Sequence, residues 1–229
     1  MEDWTLVIPA YNEEKRIKQT LNSVKNTLGN KINVLVVSNG SKDKTVDILK
    51  EWKKENRNFN FLEFKEKLGK GGAVLEGLRE AKSKYVGFID ADDSFDLKTV
   101  KEIIENFDGK EVVVASKWKG RNIFEVDEPF LRKLSSRVWN LMCKILLNLK
   151  LNDTQAGAKF LRKDVFNIID RKFICKAFSF DVELLFLLNK KGYKIEEKYI
   201  KTIHREGSTF SLKYVFPMFN DLMKLWWSK

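Results

Sequence analysis

Histidine occurs once in this chain, at His204, and cysteine twice, at Cys143 and Cys175. One imidazole excludes a histidine-rich metal centre and any mechanism that needs two histidines. The two cysteines form neither a CxxC nor a zinc pattern, and are expected to be buried thiols of a reducing compartment. No run of 18 uncharged apolar residues occurs, so no transmembrane helix is expected. The nearest approach, Val138–Leu149, is short and interrupted by Lys144. No signal-peptide pattern follows Met1, and there is no internal repeat or Gly/Ser linker. What remains is a chain with 43% apolar residues, enough to build the core of one large domain.

The net charge of +11 is unevenly spread. Residues 1–116 balance 20 basic against 20 acidic side chains, whereas residues 117–176 carry 14 basic and 6 acidic ones. A basic second half beside a neutral first half suggests an anionic partner such as phosphate or lipid headgroups. No RNP-like, zinc or helix-turn-helix pattern is present to support nucleic-acid binding.

Apolar periodicity predicts strands at Thr5–Pro9, Ile32–Val37, Phe59–Phe64 and Tyr85–Ile89. Helices at Glu13–Leu28, Thr45–Trp52 and Gly71–Ala81 fall between them. This order implies a mainly parallel sheet with helices on both faces, and ligands at the carboxyl ends of its strands. Further on, the pattern predicts a helix over Asp96–Asn106 and a strand over Val112–Ser116. Leu131–Leu149 reads as a long helix with Leu134, Val138, Leu141, Ile145 and Leu149 along one side. A strand at Ala158–Leu161, a helix at Phe180–Asn189 and a strand at Lys194–Ile203 follow. The tail carries Met218, Phe219, Leu222, Met223 and Trp226 as one helical stripe.

Polar clusters follow the strands. Asp90-Ala91-Asp92 places two carboxylates where they can share a divalent cation and leave sites for diphosphate and water. As a purely structural feature it would be an acidic turn. In Ile8–Glu14, Tyr11 is suited to pack on a base or ribose and Glu13 to accept hydrogen bonds from it. The same residues also read as a helix start with Asn12 as N-cap. Ser38-Asn39-Gly40-Ser41 forms a turn. Gly69-Lys70-Gly71-Gly72 opens a helix with a cation suited to phosphate, but is not a P-loop.

These blocks resemble, in order, the inverting family 2 glycosyltransferases of GT-A fold, and most nearly their dolichyl-phosphate mannose and glucose synthase branch. Asp153-Thr154-Gln155-Ala156-Gly157, Phe180–Leu184 and Arg205-Glu206-Gly207-Ser208 complete the resemblance, which spans about residues 4–210. It implies an α/β nucleotide-diphospho-sugar transferase over 1–210. A nucleotide-sugar-binding half (1–116) would be joined to an acceptor half (117–210). Apart from the resemblance, the stripe of the tail reads as an amphipathic helix over 211–229 that lies either on a membrane surface or on the protein's own sheet.

Mg²⁺ or Mn²⁺ is implied as cofactor, held by Asp90 and Asp92, with Asp153 as a third catalytic residue. Pro9, Tyr11, Glu13, Asn39, Lys70, Gln155, Arg205 and Ser208 are implied donor contacts. Arg132, Ser136 and Arg137 would hold the acceptor phosphate. The implied reaction moves a hexose from a nucleotide sugar, of GDP-mannose or UDP-glucose type, to a polyprenyl phosphate with inversion. It would take place at an anionic membrane surface, peripherally on its cytoplasmic face. A sugar-hydroxyl acceptor, which would need a base such as Asp153, and a nucleotide-sugar-binding protein without turnover stay open. Ser38-Asn39 stands where the family usually has an Asp pair, and Ala158 where an aromatic is common. The Gln-x-x-Arg-Trp block of processive synthases is absent.

Overall fold

The structure, a computed structural model, describes residues 3–92, 95–170, 173–175, 177, 179–201 and 215–228. Seven strands form one sheet in the order β3-β2-β1-β4-β6-β5-β7. They are β1 (Trp4–Ala10), β2 (Asn33–Asn39), β3 (Phe59–Phe64), β4 (Tyr85–Ile89), β5 (Val112–Ser116), β6 (Ala158–Arg162) and β7 (Ile195–Tyr199). β1 pairs in parallel with both β2 and β4, and β2 with β3. β6 runs antiparallel between β4 and β5, so the two halves of the sequence share one sheet. The chain winds outward from β1 to β3 and then returns to the other side of β1. The gap between the carboxyl ends of β1 and β4 is therefore the switch point at which open α/β sheets bind ligands.

Residues alternate across the sheet, as a two-residue period requires. Val7 of β1 joins the core on one face, and Leu6 and Ile8 join the core on the other. Helices α1 (Ile17–Leu28) and α4 (Leu97–Glu105) cover the second face. The first is covered by α3 (Lys70–Glu80), α7 (Phe180–Lys190) and part of α5 (Phe130–Leu147). α3 lies so close to the sheet that a Cβ at Gly77 would stand 2.3 Å from Val7 Cγ1. The remaining helices are α2 (Thr45–Glu55), α6 (Lys163–Ile169) and α8 (Val215–Trp227).

The first four strands and three helices lie where the periodicity places them, with shifted ends. Helix α1 begins at Ile17, not Glu13, and its N-cap is Arg16. Asn12 sits at φ 54° with its side chain committed elsewhere, so it does not cap the helix. The short helix α6 was not anticipated. The final strand ends at Tyr199, well before the predicted Ile203.

Two helices carry predicted apolar stripes that are not simply buried. α5 buries Asn140, Cys143 and Leu147 and turns Leu134, Val138, Leu141 and Ile145 outward; of the predicted stripe only Leu149, just beyond the helix, is buried. In α8 the predicted stripe is divided: Met218 and Leu222 are buried, together with Leu225, whereas Phe219 and Trp226 are exposed, and α8 packs on α5. No helix among the described residues is long and apolar enough to cross a membrane.

Candidate active site

At the carboxyl end of the sheet, the loops after β1 and β2 are sewn together. Lys42 N donates to Asn12 Oδ1 at 2.8 Å, and Asn12 N to Ser41 Oγ at 3.2 Å. Glu13 N donates to Thr45 Oγ1, Glu14 N to Asp43 Oδ2 and Lys44 N to Glu14 Oε2, at 2.8–3.0 Å. Burial works against the Asp43 charge, but the Thr45 hydroxyl and the amides of Glu14 and Thr45 hold its pKa below the ordinary value. A third loop joins through Asn39 Oδ1, which accepts from Leu68 N at 2.6 Å. These short polar side chains replace water as partners for loop amides, which fixes the loops without regular structure.

On this frame stand Pro9, Tyr11, Glu13 and Asn39, at the carboxyl ends of β1 and β2. Tyr11 is 38% exposed, with Lys67 Nζ 3.8 Å from its ring centroid, so the pair forms an open lip suited to a base. Glu13 is less open than expected, because its carboxylate is held by Arg16 at 2.8 and 3.0 Å. Burial raises its pKa in spite of that pairing. Ser38 is fully buried, its hydroxyl without a hydrogen-bond partner among the described residues. The position where the family usually carries the first Asp of its pair therefore faces inward in this chain.

The chemical centre lies after β4. Asp90 N donates to Gly157 O at 3.1 Å, and the Asp90 carboxylate lies against Gly157 so closely that a Cβ there would stand 2.0 Å from Oδ2. Lys70, in the first turn of α3, pairs with Asp90 Oδ1 at 2.7 Å and lies 3.9 Å from Asp181 Oδ2. Asp181 in turn holds the buried Lys159 at 2.6 Å, and Lys159 also donates to Ala156 O. Charges thus alternate along Lys159, Asp181, Lys70 and Asp90. Burial raises the Asp90 pKa, opposed by the Lys70 ammonium. Burial also works against the charge on Lys70, yet Asp90 and Asp181 raise its pKa above the ordinary value, so it is a fixed cation.

Asp92 is close enough to act electrostatically on Asp90, Lys70 and Glu13. Two carboxylates of hard oxygen donors fit Mg²⁺ or Mn²⁺. Among the described residues no group of three or more His, Cys, Asp or Glu could hold a metal. Two carboxylates alone suit a cation whose shell is completed by diphosphate oxygens and water.

Asp153 is 2% exposed and its oxygens accept from the amides of Gln155 and Lys117, so it braces the loop before β6 and presents no open carboxylate. Burial raises its pKa, with Lys117 opposing. Gln155 stands on that loop, two residues before Gly157.

On the second half, Ser136 Oγ accepts from Trp118 Nε1 at 3.0 Å, and the Arg137 guanidinium lies 4.0 Å from the Trp118 ring centroid. Arg137 also donates to Arg121 O, and Arg121 stacks on Tyr199 at 4.7 Å. Arg132 is one turn away, 3.9 Å from Glu128, which Lys117 holds at 2.7 Å. The predicted trio therefore does come together, organised by Trp118 and Arg121, which motif reading missed. It also gave no role to Asp181, although the Phe180–Leu184 block carries it, or to Lys159. A polar residue inside the apolar run Phe180–Leu188 and a lysine inside a buried strand were the available signals. Arg205 and Ser208 lie outside the described residues, as do Asp93 and Ser94.

The fold is that of the GT-A glycosyltransferases. The glucosyl-3-phosphoglycerate synthase of Mycobacterium tuberculosis, solved with Mn²⁺, UDP and glucosyl-3-phosphoglycerate, superposes with a TM-score of 0.67. The match covers 98% of this chain and 78% of that one at 16% identity. The mannosyltransferase PcManGT of Pyrobaculum calidifontis, solved with GDP-Man and Mn²⁺, superposes at 0.61 over 90% of this chain and 58% of that one, at 15% identity.

The family model of glycosyl transferase family 2 matches residues 5–169, and the chain belongs to that family of enzymes. Among curated relatives, a dolichyl-phosphate beta-glucosyltransferase of Trichomonas vaginalis is 25% identical over 96% of this chain and 72% of its own length. A UDP-N-acetylglucosamine–dolichyl-phosphate N-acetylglucosaminyltransferase of Methanococcus voltae is 29% identical over 89% of this chain and 86% of its own.

Proposed function

We propose that this glycosyltransferase moves a hexose from a nucleotide sugar to a polyprenyl phosphate held at a membrane surface, with inversion and with Mg²⁺ or Mn²⁺. The observation that carries the reading is one of placement. The acid pair and Lys70 stand at the β1/β4 switch point, and the arginine-rich start of α5 continues directly into an exposed apolar face. The names of the curated relatives support the same acceptor class.

Asp90 and Asp92 would hold the cation, which would stabilise the departing nucleoside diphosphate. Tyr11 and Lys67 receive the base, and Lys70 faces the diphosphate. Arg137, fixed on Trp118, and Arg132 suit a phosphate monoester, because charge-assisted contacts to phosphate are the strong ones. A phosphate oxygen is already anionic at neutral pH, so attack at the anomeric carbon needs no free general base. Burial of Asp153 is compatible with that chemistry.

The lipid part of such an acceptor needs an apolar landing place. Leu131, Leu134, Val138, Leu141 and Ile145 line the outer face of α5, and Phe216 and Trp227 of α8 are exposed. Exposed cations Arg132, Lys144, Lys150 and Lys224 accompany them, a combination that suits an anionic headgroup layer on the cytoplasmic face.

The test is a donor screen with Mg²⁺ and two acceptors, a short polyprenyl phosphate and a free sugar. Product on the lipid alone is expected, lost in excess chelator and reduced on the order of 10²-fold or more by Asp92→Asn. Product on the sugar alone, or full activity in chelator, would overturn the reading.

A further inference from the structure

The Lys70 ammonium stands between two carboxylates, 2.7 Å from Asp90 and 3.9 Å from Asp181. We propose that Lys70 and the divalent cation compete for Asp90, and that the Lys159–Asp181 pair is the seat that receives Lys70 when the cation binds. The proposal rests on the metal-dependent reading above.

A divalent cation sits about 2.0–2.2 Å from a carboxylate oxygen. Placed on the carboxylate that Lys70 already holds, it would stand roughly 4–5 Å from the ammonium, close enough for the two positive charges to repel. Lys70 therefore has to give ground. The second carboxylate is within about 1 Å of charge-assisted hydrogen-bond distance, so a small swing of the side chain exchanges one partner for the other.

Asp181 is built to stay in place while this happens. Its Oδ1 is tied to Lys159 at 2.6 Å, and Lys159, 1% exposed, is tied to Ala156 O at 2.6 Å. The first turns of α3 and α7 are also pressed together: a Cβ at Gly71 would stand 2.3 Å from Phe180 Cβ. The stem of Lys70 and the Asp181 carboxylate are thus held in fixed register by backbone contact. The arrangement makes Lys70 an internal counter-cation. It neutralises Asp90 before the divalent ion arrives and afterwards, seated beside Asp181, faces the donor diphosphate. Cation alone should then bind weakly, and cation with nucleoside diphosphate much better, because the diphosphate supplies the negative charge that Lys70 gives up. That is a coupling between two ligands, with the magnitude such couplings usually have.

Binding of Mn²⁺ alone, followed by the EPR signal of the free ion, tests this without any turnover. Lys70→Met should bind Mn²⁺ about tenfold more tightly than the unaltered enzyme, and added UDP or GDP should enhance its Mn²⁺ affinity less. Removing the seat as a unit, with Lys159→Met and Asp181→Asn together, should weaken Mn²⁺ binding. That loss should vanish when Lys70→Met is added. Thermal melting establishes that each variant is folded, and Lys70→Gln gives the same comparison if Lys70→Met is not. Equal or weaker Mn²⁺ binding by the folded Lys70 variants would overturn the exchange while leaving the metal-dependent reading intact. No Mn²⁺ binding by the unaltered enzyme, with or without UDP or GDP, would remove both.

Discussion

Gly157 shows how much of the site depends on an atom that is missing. The glycine has no Cβ, and that space is taken by the Asp90 carboxylate. Gly157→Ala should push Asp90 away from Lys70 and misplace it for the cation. A displacement of about 1 Å can cost on the order of 10²-fold in rate. Steady-state kinetics should show the loss in kcat, with a melting temperature within a few degrees of the parent, and unchanged kinetics would show that the site tolerates the shift. At this scale the sequence was informative where chemistry and position coincide. Asp90 and Asp92 follow a clearly apolar strand, and Lys70 opens a glycine-marked helix. The bracing contacts of Asp153 were not legible, because an Asp in a polar loop looks the same whether its oxygens meet substrate or backbone amides. Asp181 and Lys159 received no role for the opposite reason: both lie in apolar runs, where hydropathy averages them away, even though the Phe180–Leu184 block carries Asp181.

Among the elements, the parallel strands were legible because a buried parallel strand is a short, nearly continuous apolar run. The two outer helices were not, because periodicity shows that a stripe exists without showing what covers it. α5 has an apolar stripe on its solvent side and buries Asn140, whose Oδ1 accepts from the Thr154 amide and hydroxyl. α8 divides its stripe, with Met218 and Leu222 against the core and Phe219 and Trp226 exposed. The tail therefore contributes to the core as well as to the surface. Met218, Leu222 and Leu225 are each buried, and truncating such a side chain typically costs about 2–5 kcal/mol. A chain ending before Val215 should lose most of its stability in urea titrations, whereas Phe216→Ser and Trp227→Ser should leave it nearly unchanged.

For the whole molecule, the exposed faces of α5 and α8 make a binding prediction that separates apolar from electrostatic contributions. The protein should pellet with anionic vesicles at low salt, less at high salt, and little with neutral vesicles. Leu141→Ser with Ile145→Ser should release it without altering donor binding. Retention of those variants on anionic vesicles would show that charge alone holds the protein there.

The placement of β6 has a further consequence, for the way the chain is made. β6 lies between β4 and β5 although it is synthesised after both. When β4 leaves the ribosome its inner edge has no partner, and the residues that provide one follow roughly 70 positions later, several seconds at ordinary translation rates. During that interval Gly87 and Phe88 present unpaired backbone at an apolar edge, a template for association with other chains. A nascent polypeptide stalled before residue 158 should remain sensitive to protease and bound to chaperones. Release of the strand that follows should close the sheet in one cooperative step.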